Sequence, residues 1–195
     1  MSERVKIILD KNADILRLPA IALRGLVVFP GNIIHFEVGR KKSIAAIEWA
    51  MSNNNAVFLT AQQDMDVEDP GFKDLYAYGV VAEVKQVLRV SDELVKVLVE
   101  GKYRAKLLTL DSSGRFLLAS TKAAALRGTK SVDSARVEAL VRSVKEAFEE
   151  YLSLNPRLSK DVVYTIITNE DAALLCDYIP ANLLLKYIDK QALLN

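Results

Sequence analysis

Cysteine is nearly missing from this chain: Cys176 stands alone among 195 residues. No intrachain disulfide can form, and such a chain suits a reducing compartment, with the cytoplasm as the default. Histidine is as scarce, with His35 its single representative. One Cys and one His cannot furnish a structural zinc site, and a His-activated nucleophile would have His35 alone to draw on. A surplus of either charge is also missing, with Lys+Arg 26 against Asp+Glu 25. No global field therefore steers the chain to nucleic acid or to a membrane. Long apolar runs are absent. Val5 to Leu9 is far too short to cross a bilayer, and Met1-Ser-Glu-Arg-Val-Lys6 lacks the apolar core and cleavage site of a secretory signal.

Phosphate-binding and hydrolytic signatures are missing as well. Gly101-Lys102 is followed by Tyr103 and has no Gly upstream at the spacing a phosphate cradle needs. Leu107-Leu-Thr-Leu-Asp111 imitates a magnesium-holding strand end, but with no cradle to serve it reads as a strand entering a turn. No Gly-x-Ser-x-Gly elbow occurs. Ser and Lys are plentiful, yet nothing marks one pair as a dyad. The chain itself is expected to be non-catalytic, with no cofactor or metal of its own.

What is present is an ordinary folded composition, 51% hydrophobic and 26% charged. From Leu18 to Thr121 the apolar period is mostly two. Val80, Ala82, Val84, Gln86, Leu88 and Val90 would share one face of a strand, and Val95, Val97 and Val99 alternate with Lys96 and Glu100. Ser91-Asp-Glu93 and Asp111-Ser-Ser-Gly114 supply two hairpin turns. Ile21–Phe29 and Ile33–Val38 bracket Pro30-Gly31, and Val57–Ala61 adds a further strand. Consecutive antiparallel strands of this kind predict a closed or half-closed barrel. One helix interrupts it, with Ser43 as cap, Ile44, Ile47 and Met51 as buried stripe, and Trp49 placed to cover a barrel end.

The period becomes helical beyond about residue 122. Val137, Leu140, Val141, Val144, Phe148 and Tyr151 form an amphipathic stripe that Asn155-Pro156 ends. Ser159 caps a second helix with Val162, Val163, Ile166 and Ile167 as its buried side. Asp171 opens a third carrying Leu174, Leu175, Tyr178 and Ile179. Pro180 is expected to separate it from a fourth, Asn182 to Leu194. The organisation is thus α+β: a β-rich subdomain over 1–122 and a helical bundle over 123–195, joined near 122–131. Leu193 and Leu194 would stand exposed at the chain's end, as in a helix cut short of its full length.

Several motifs stand in a fixed order. Leu23-Arg24, Leu26-Val-Val28 and Phe29-Pro30 come first, then Val38-Gly-Arg40 with Ser43. Asp74-Leu-Tyr76 with Gly79 follows, and then Val97-Leu-Val-Glu-Gly101. Together with Glu150-Tyr151, Leu154-Asn155 and Lys190-Gln191 they resemble the amino-terminal domain of Lon, the ATP-dependent protease. Ala20, Ala22 and Ile34-His35-Phe36 depart from its more proline-rich opening. The resemblance implies a PUA-like pseudo-barrel and a role in recognising unfolded or damaged polypeptide. It also implies a parent protein with an ATPase module using ATP and Mg²⁺, a Ser–Lys peptidase, and assembly with itself into a homo-oligomeric ring.

Unfolded clients expose apolar segments, so a client-holding surface should be apolar with a polar rim. The candidate surface is Phe29, Pro30, Ile33 and Phe36 beside the basic cluster Arg40, Lys41 and Lys42, which could draw in acidic client segments. The competing reading makes Phe29, Ile33 and Phe36 barrel core. A free-standing adaptor with the same fold is the alternative to a protease part. RNA binding would need basic tracks beside exposed aromatics, which the balanced charges do not favour.

Overall fold

The computed structural model describes residues 15–124, 134–155 and 158–195. These fall in two compact units. One runs up to Ala124 and also takes in Leu185–Asn195; the other lies within Ala125–Leu184.

The first unit is a six-stranded mixed sheet with an inserted helix. Its elements are β1 (Leu16–Leu23), β2 (Ile33–Val38), α1 (Lys41–Met51), β3 (Ala56–Ala61), β4 (Tyr78–Arg89), β5 (Val95–Asp111) and β6 (Leu117–Ala123). The order is β2-β5-β4-β3-β1-β6, and β6 also pairs with β5, so five strands close into a barrel with β2 added on β5. The expected barrel is there. One pairing departs from the antiparallel pattern: β1 runs parallel to β3, which α1 and its flanking loops make possible. The barrel interior packs Leu18, Ala20, Phe58, Val81, Ala105 and Ala119, with Trp49 of α1 closing over it against Phe116 at 5.7 Å.

Sequence periodicity misplaces several details. β1 ends at Leu23, not Phe29, because the chain bends at Arg24 and Gly25, whose φ is 62°. β1 and β2 do not form a hairpin; β2 pairs with β5 instead. In β4 the register slips between Val84 and Gln86, so Lys85 is bulged out. Beyond that bulge the alternation inverts. Leu88 and Val90 are exposed at 58% and 52%, while Val87 turns inward. β5 is one strand of 17 residues, where a break at Gly101 would have made two. Helix α1 begins before Ser43: Arg40 is its N-cap residue, Ser43 is buried within the first turn, and Met51 lies exposed.

The second unit holds α2 (Ser134–Leu154), α3 (Lys160–Thr168) and α4 (Ala172–Asn182) around Phe148, Ile166 and Leu175. Ser159 and Asp171 cap α3 and α4 as expected, each side chain accepting from backbone N–H groups of the first turn. Leu140, Val144 and Ile167, expected on buried stripes, are exposed. Pro180 does not divide two helices but sits inside α4. The carbonyl it deprives of a donor is that of Cys176, an exposed residue that water can reach. The join at 125–133 and Pro156 lie outside the described residues.

The last helix, α5 (Tyr187–Leu194), belongs to the barrel unit and not to the bundle over 123–195. Gln191, almost fully buried, donates to Tyr78 O at 3.0 Å, and Arg104 Nε donates to Leu194 O at 3.0 Å. Leu194 is buried, contrary to the expectation of an exposed end, whereas Leu193 is exposed. Hydropathy along the last helix cannot show which body it packs on; the two side-chain bonds do.

Candidate functional site

Two features of the barrel unit are open to a ligand, and they adjoin. The first is the outer edge of β2. Among the described residues β2 pairs with β5 alone. Gly101 N donates to Asn32 O, which makes Ile33–Glu100 a pair without mutual hydrogen bonds. Alternation then turns the peptide groups of Ile34, Phe36 and Val38 toward β5, and those of Ile33, His35 and Glu37 outward. The outward groups form a template for one more strand.

The second is a groove of about 310 Å³ where β2 ends. The end of β1 and the turn after it supply Ile21, Ala22, Leu23, Arg24 and Leu26. Phe36, Glu37, Val38 and Gly39 come from the end of β2, and Arg40 and Ser43 from the start of α1.

One backbone oxygen organises the polar rim. Val67 O accepts from Arg24 Nη2 at 3.3 Å, from Arg40 Nη2 at 3.1 Å and from Gln62 Nε2 at 2.9 Å. Arg40 Nη1 also donates to Ala22 O at 3.2 Å. Leu23 O accepts from Gln62 N, on the β3 side, so Ala22 O faces away from β3, past the end of β6. Arg40 thus caps a strand edge that no strand among the described residues covers. Burial, and next the like charge of Arg24, lower the Arg40 pKa from its ordinary value, against the opposite pull of Asp69 and Glu68.

The residues named from sequence separate into distinct roles. Phe29 is fully buried and is core, which corrects its place on the candidate surface. Its carbonyl lies over Gly101, so the segment after β1 is pinned to β5. Pro30 is half-buried in the turn that follows, Ile33 is 62% exposed, and Phe36 is half-buried in the groove. Lys41 is exposed, but Lys42 pairs with Asp69 at 2.9 Å, and Arg40 is engaged as above. The basic cluster is therefore partly answered from within by the acidic stretch 64–69. Arg24 and Leu26 were not singled out from sequence as site residues. In the sequence they stand out only within the opening motif, Leu23-Arg24 and Leu26-Val-Val28, as marks of resemblance.

The decoys resolve as structure. Asp111 Oδ1 accepts from Ser113 N at 2.9 Å and from Ser113 Oγ at 2.6 Å, closing the turn after β5 and holding its carboxyl below the usual range. Lys102 belongs to a square of charges on the sheet: Lys85 and Lys102 each contact Glu83 and Glu100 at 2.7–2.9 Å. Among the described residues no group of three His, Cys, Asp or Glu side chains is placed to hold a metal ion. No helix among them is long and apolar enough to cross a membrane.

A five-stranded barrel with an added edge strand, a covering helix and a separate three-helix unit defines an α+β class, with an open edge beside a groove on the barrel unit. The chain belongs to the family of the substrate-binding domain of ATP-dependent protease La (Lon), whose model matches residues 17–195. It is 38% identical over 184 residues to the Lon protease of Desulforamulus reducens, covering 94% of this chain. It is 36% identical over 185 residues to that of Escherichia coli K12, covering 95% of this chain. The chain spans 22% and 23% of the lengths of those two proteins. The N-terminal domain of a Mycobacterium avium complex Lon protease superposes with a TM-score of 0.71 at 19% identity, over 92% of this chain and 90% of that one. A Lon N-terminal domain protein from Xanthomonas campestris has a TM-score of 0.50 at 13% identity, over 80% and 92%. Both likenesses show the fold.

Proposed function

We propose that this chain is the client-engaging part of a longer ATP-dependent protease, and that it holds unfolded or damaged polypeptide in extended form along the open edge of β2. The observation that carries the reading is the one-sided pairing of β2, with Ile33, His35 and Glu37 turned outward and the groove at its end. Backbone hydrogen bonds to such an edge demand no particular client sequence, which suits a quality-control protease. Exposed Ile33 and half-buried Phe36 add apolar contact. On this reading ATP and Mg²⁺ act in an ATPase module outside this sequence, a Ser–Lys peptidase cuts the client, and copies assemble into a ring in the cytoplasm. Membership of the Lon family and the much greater length of its relatives support that larger picture.

The test separates edge from core. His35→Pro removes an outward N–H and leaves the ladder to β5 intact, whereas Ile34→Pro removes a donor that β5 uses. Binding of a permanently unfolded, reduced and alkylated protein should weaken at least tenfold in His35→Pro with melting little changed. Ile34→Pro should instead lower the melting temperature. Unchanged binding in His35→Pro would reject the edge.

A further inference from the structure

We infer that the groove at the end of β2 reads a client's free C-terminus: an apolar last side chain sits by Leu26, Phe36 and Val38, and its carboxylate meets Arg24 and Arg40. The inference rests on the reading that the β2 edge takes extended polypeptide. A client strand laid parallel to β2, from Ile33 toward Val38, delivers its last residue to Gly39 and Arg40, where the groove lies.

The charges there favour an anion. Two guanidinium groups converge on the single oxygen of Val67, and the charge of Arg24 disfavours the positive charge of Arg40. Of the neighbouring carboxylates, Glu37, which also lines the groove, pairs with Lys96 at 3.2 Å and Asp69 with Lys42 at 2.9 Å. Asp69 and the exposed Glu68 each act on Arg40 less strongly than Arg24 does. Arg24 uses one of its five N–H groups on Val67 O and is otherwise open to solvent. A carboxylate placed between the guanidiniums gains charge-assisted hydrogen bonds and relieves their repulsion. Beside them the lining mixes Glu37 and Ser43 with the apolar Leu26, Phe36 and Val38, so the preferred ligand carries its carboxylate directly next to an apolar side chain. An α-carboxylate on a terminal Leu, Val or Phe meets that description; an Asp or Glu side chain within a chain does not.

The probe is a short unstructured peptide ending in Leu, fluorescently labelled at its N-terminus, in three forms. These are the free acid, the C-terminal amide, and the amide with Asp as its penultimate residue. The free acid should bind about tenfold more tightly than either amide, and Arg24→Gln should abolish the difference while Arg24→Lys restores part of it. Equal binding of acid and amide on the unsubstituted chain, which needs no variant, overturns the inference. So does recovery of binding by the Asp-bearing amide, or an acid preference that survives Arg24→Gln with folding intact by Trp49 fluorescence. If acid and amide are equal while His35→Pro still weakens binding of an unfolded protein, the terminus-reading falls and the edge stands. If no unfolded chain binds at all, both fall.

Discussion

Replacing Gly101 by Ala should unfold the barrel unit far more readily than the same methyl added at Gly114. A Cβ at this position would stand 2.2 Å from the carbonyl oxygen of Phe29, 3.0 Å from its carbonyl carbon and 3.2 Å from a Val80 methyl. The obstacle is backbone, so no rotamer change relieves it. The Phe29 side chain is fully buried, and the loop is tied to the strand by Gly31 N to Gly101 O at 2.8 Å and Gly101 N to Asn32 O at 2.9 Å. Displacing the carbonyl strains the core or breaks these bonds. Overpacking costs about 1–3 kcal/mol and each lost hydrogen bond about 1 kcal/mol, for a total of about 3–5 kcal/mol. At about 3 °C per kcal/mol for a chain of this size, the melting temperature should fall by about 10 °C. Trp49 is the sole tryptophan and packs on the barrel, so its fluorescence follows this unit alone. Gly114→Ala is the control: its nearest neighbour is the Phe116 carbonyl oxygen at 3.6 Å, an ordinary contact, and melting should scarcely change. Gly31→Ala lies between them, since the space is open but φ is +73°, a strain of about 1–2 kcal/mol. If Gly101→Ala melts with the Gly114 variant, the crowding argument is wrong.

Three further outcomes are expected. Phe29→Ala, emptying a fully buried site, should cost about 3–5 kcal/mol, whereas Phe36→Ala should cost far less and chiefly weaken client binding; urea unfolding beside a binding titration decides. Asp171→Ala should lower the stability of the helical unit by about 1 kcal/mol, and Asp171→Asn should recover most of it, read by far-UV circular dichroism. Lys85 and Lys102 hold the Glu83 and Glu100 carboxyls below their ordinary range by hydrogen bonding. Folded values below unfolded ones mean a stabilisation complete above about pH 4.3 and lost as pH falls through the folded values. A Glu83→Gln, Glu100→Gln double variant should therefore flatten the acid limb of melting temperature against pH. The effect should be small and should fade in 1 M salt, because the cluster is solvent-screened.

Where a residue's neighbours lie close along the chain, the sequence could be read directly. Ser159 and Asp171 announce their helices because a cap acts within one turn, and Asp111 closes its turn on Ser113 for the same reason. The motif glycines could be noticed but not explained. Gly101 lies under Phe29 and Gly79 meets Leu59 O at 2.2 Å, contacts that exist only once distant strands are side by side. Asp74, also in a motif, proves to brace a single 3₁₀ turn by accepting from Gly71 N at 2.8 Å. The β4 alternation failed at Lys85 because a bulge changes phase without leaving a mark in composition. The candidate site was half legible. Ile33, Phe36 and Arg40 fall on it, but Phe29 points inward, and Arg24 and Leu26 join it through long-range folding. The parallel β1–β3 pair was hidden for the same reason.

The placement of α5 bears on how a mechanical load would travel. The helical unit is inserted between two stretches of one β body, and the final helix grips that body through Gln191 and Arg104. A pull on Asn195 is therefore resisted first by the bonds to Tyr78 O and Leu194 O, and tension enters the barrel without being relayed through α2, α3 or α4.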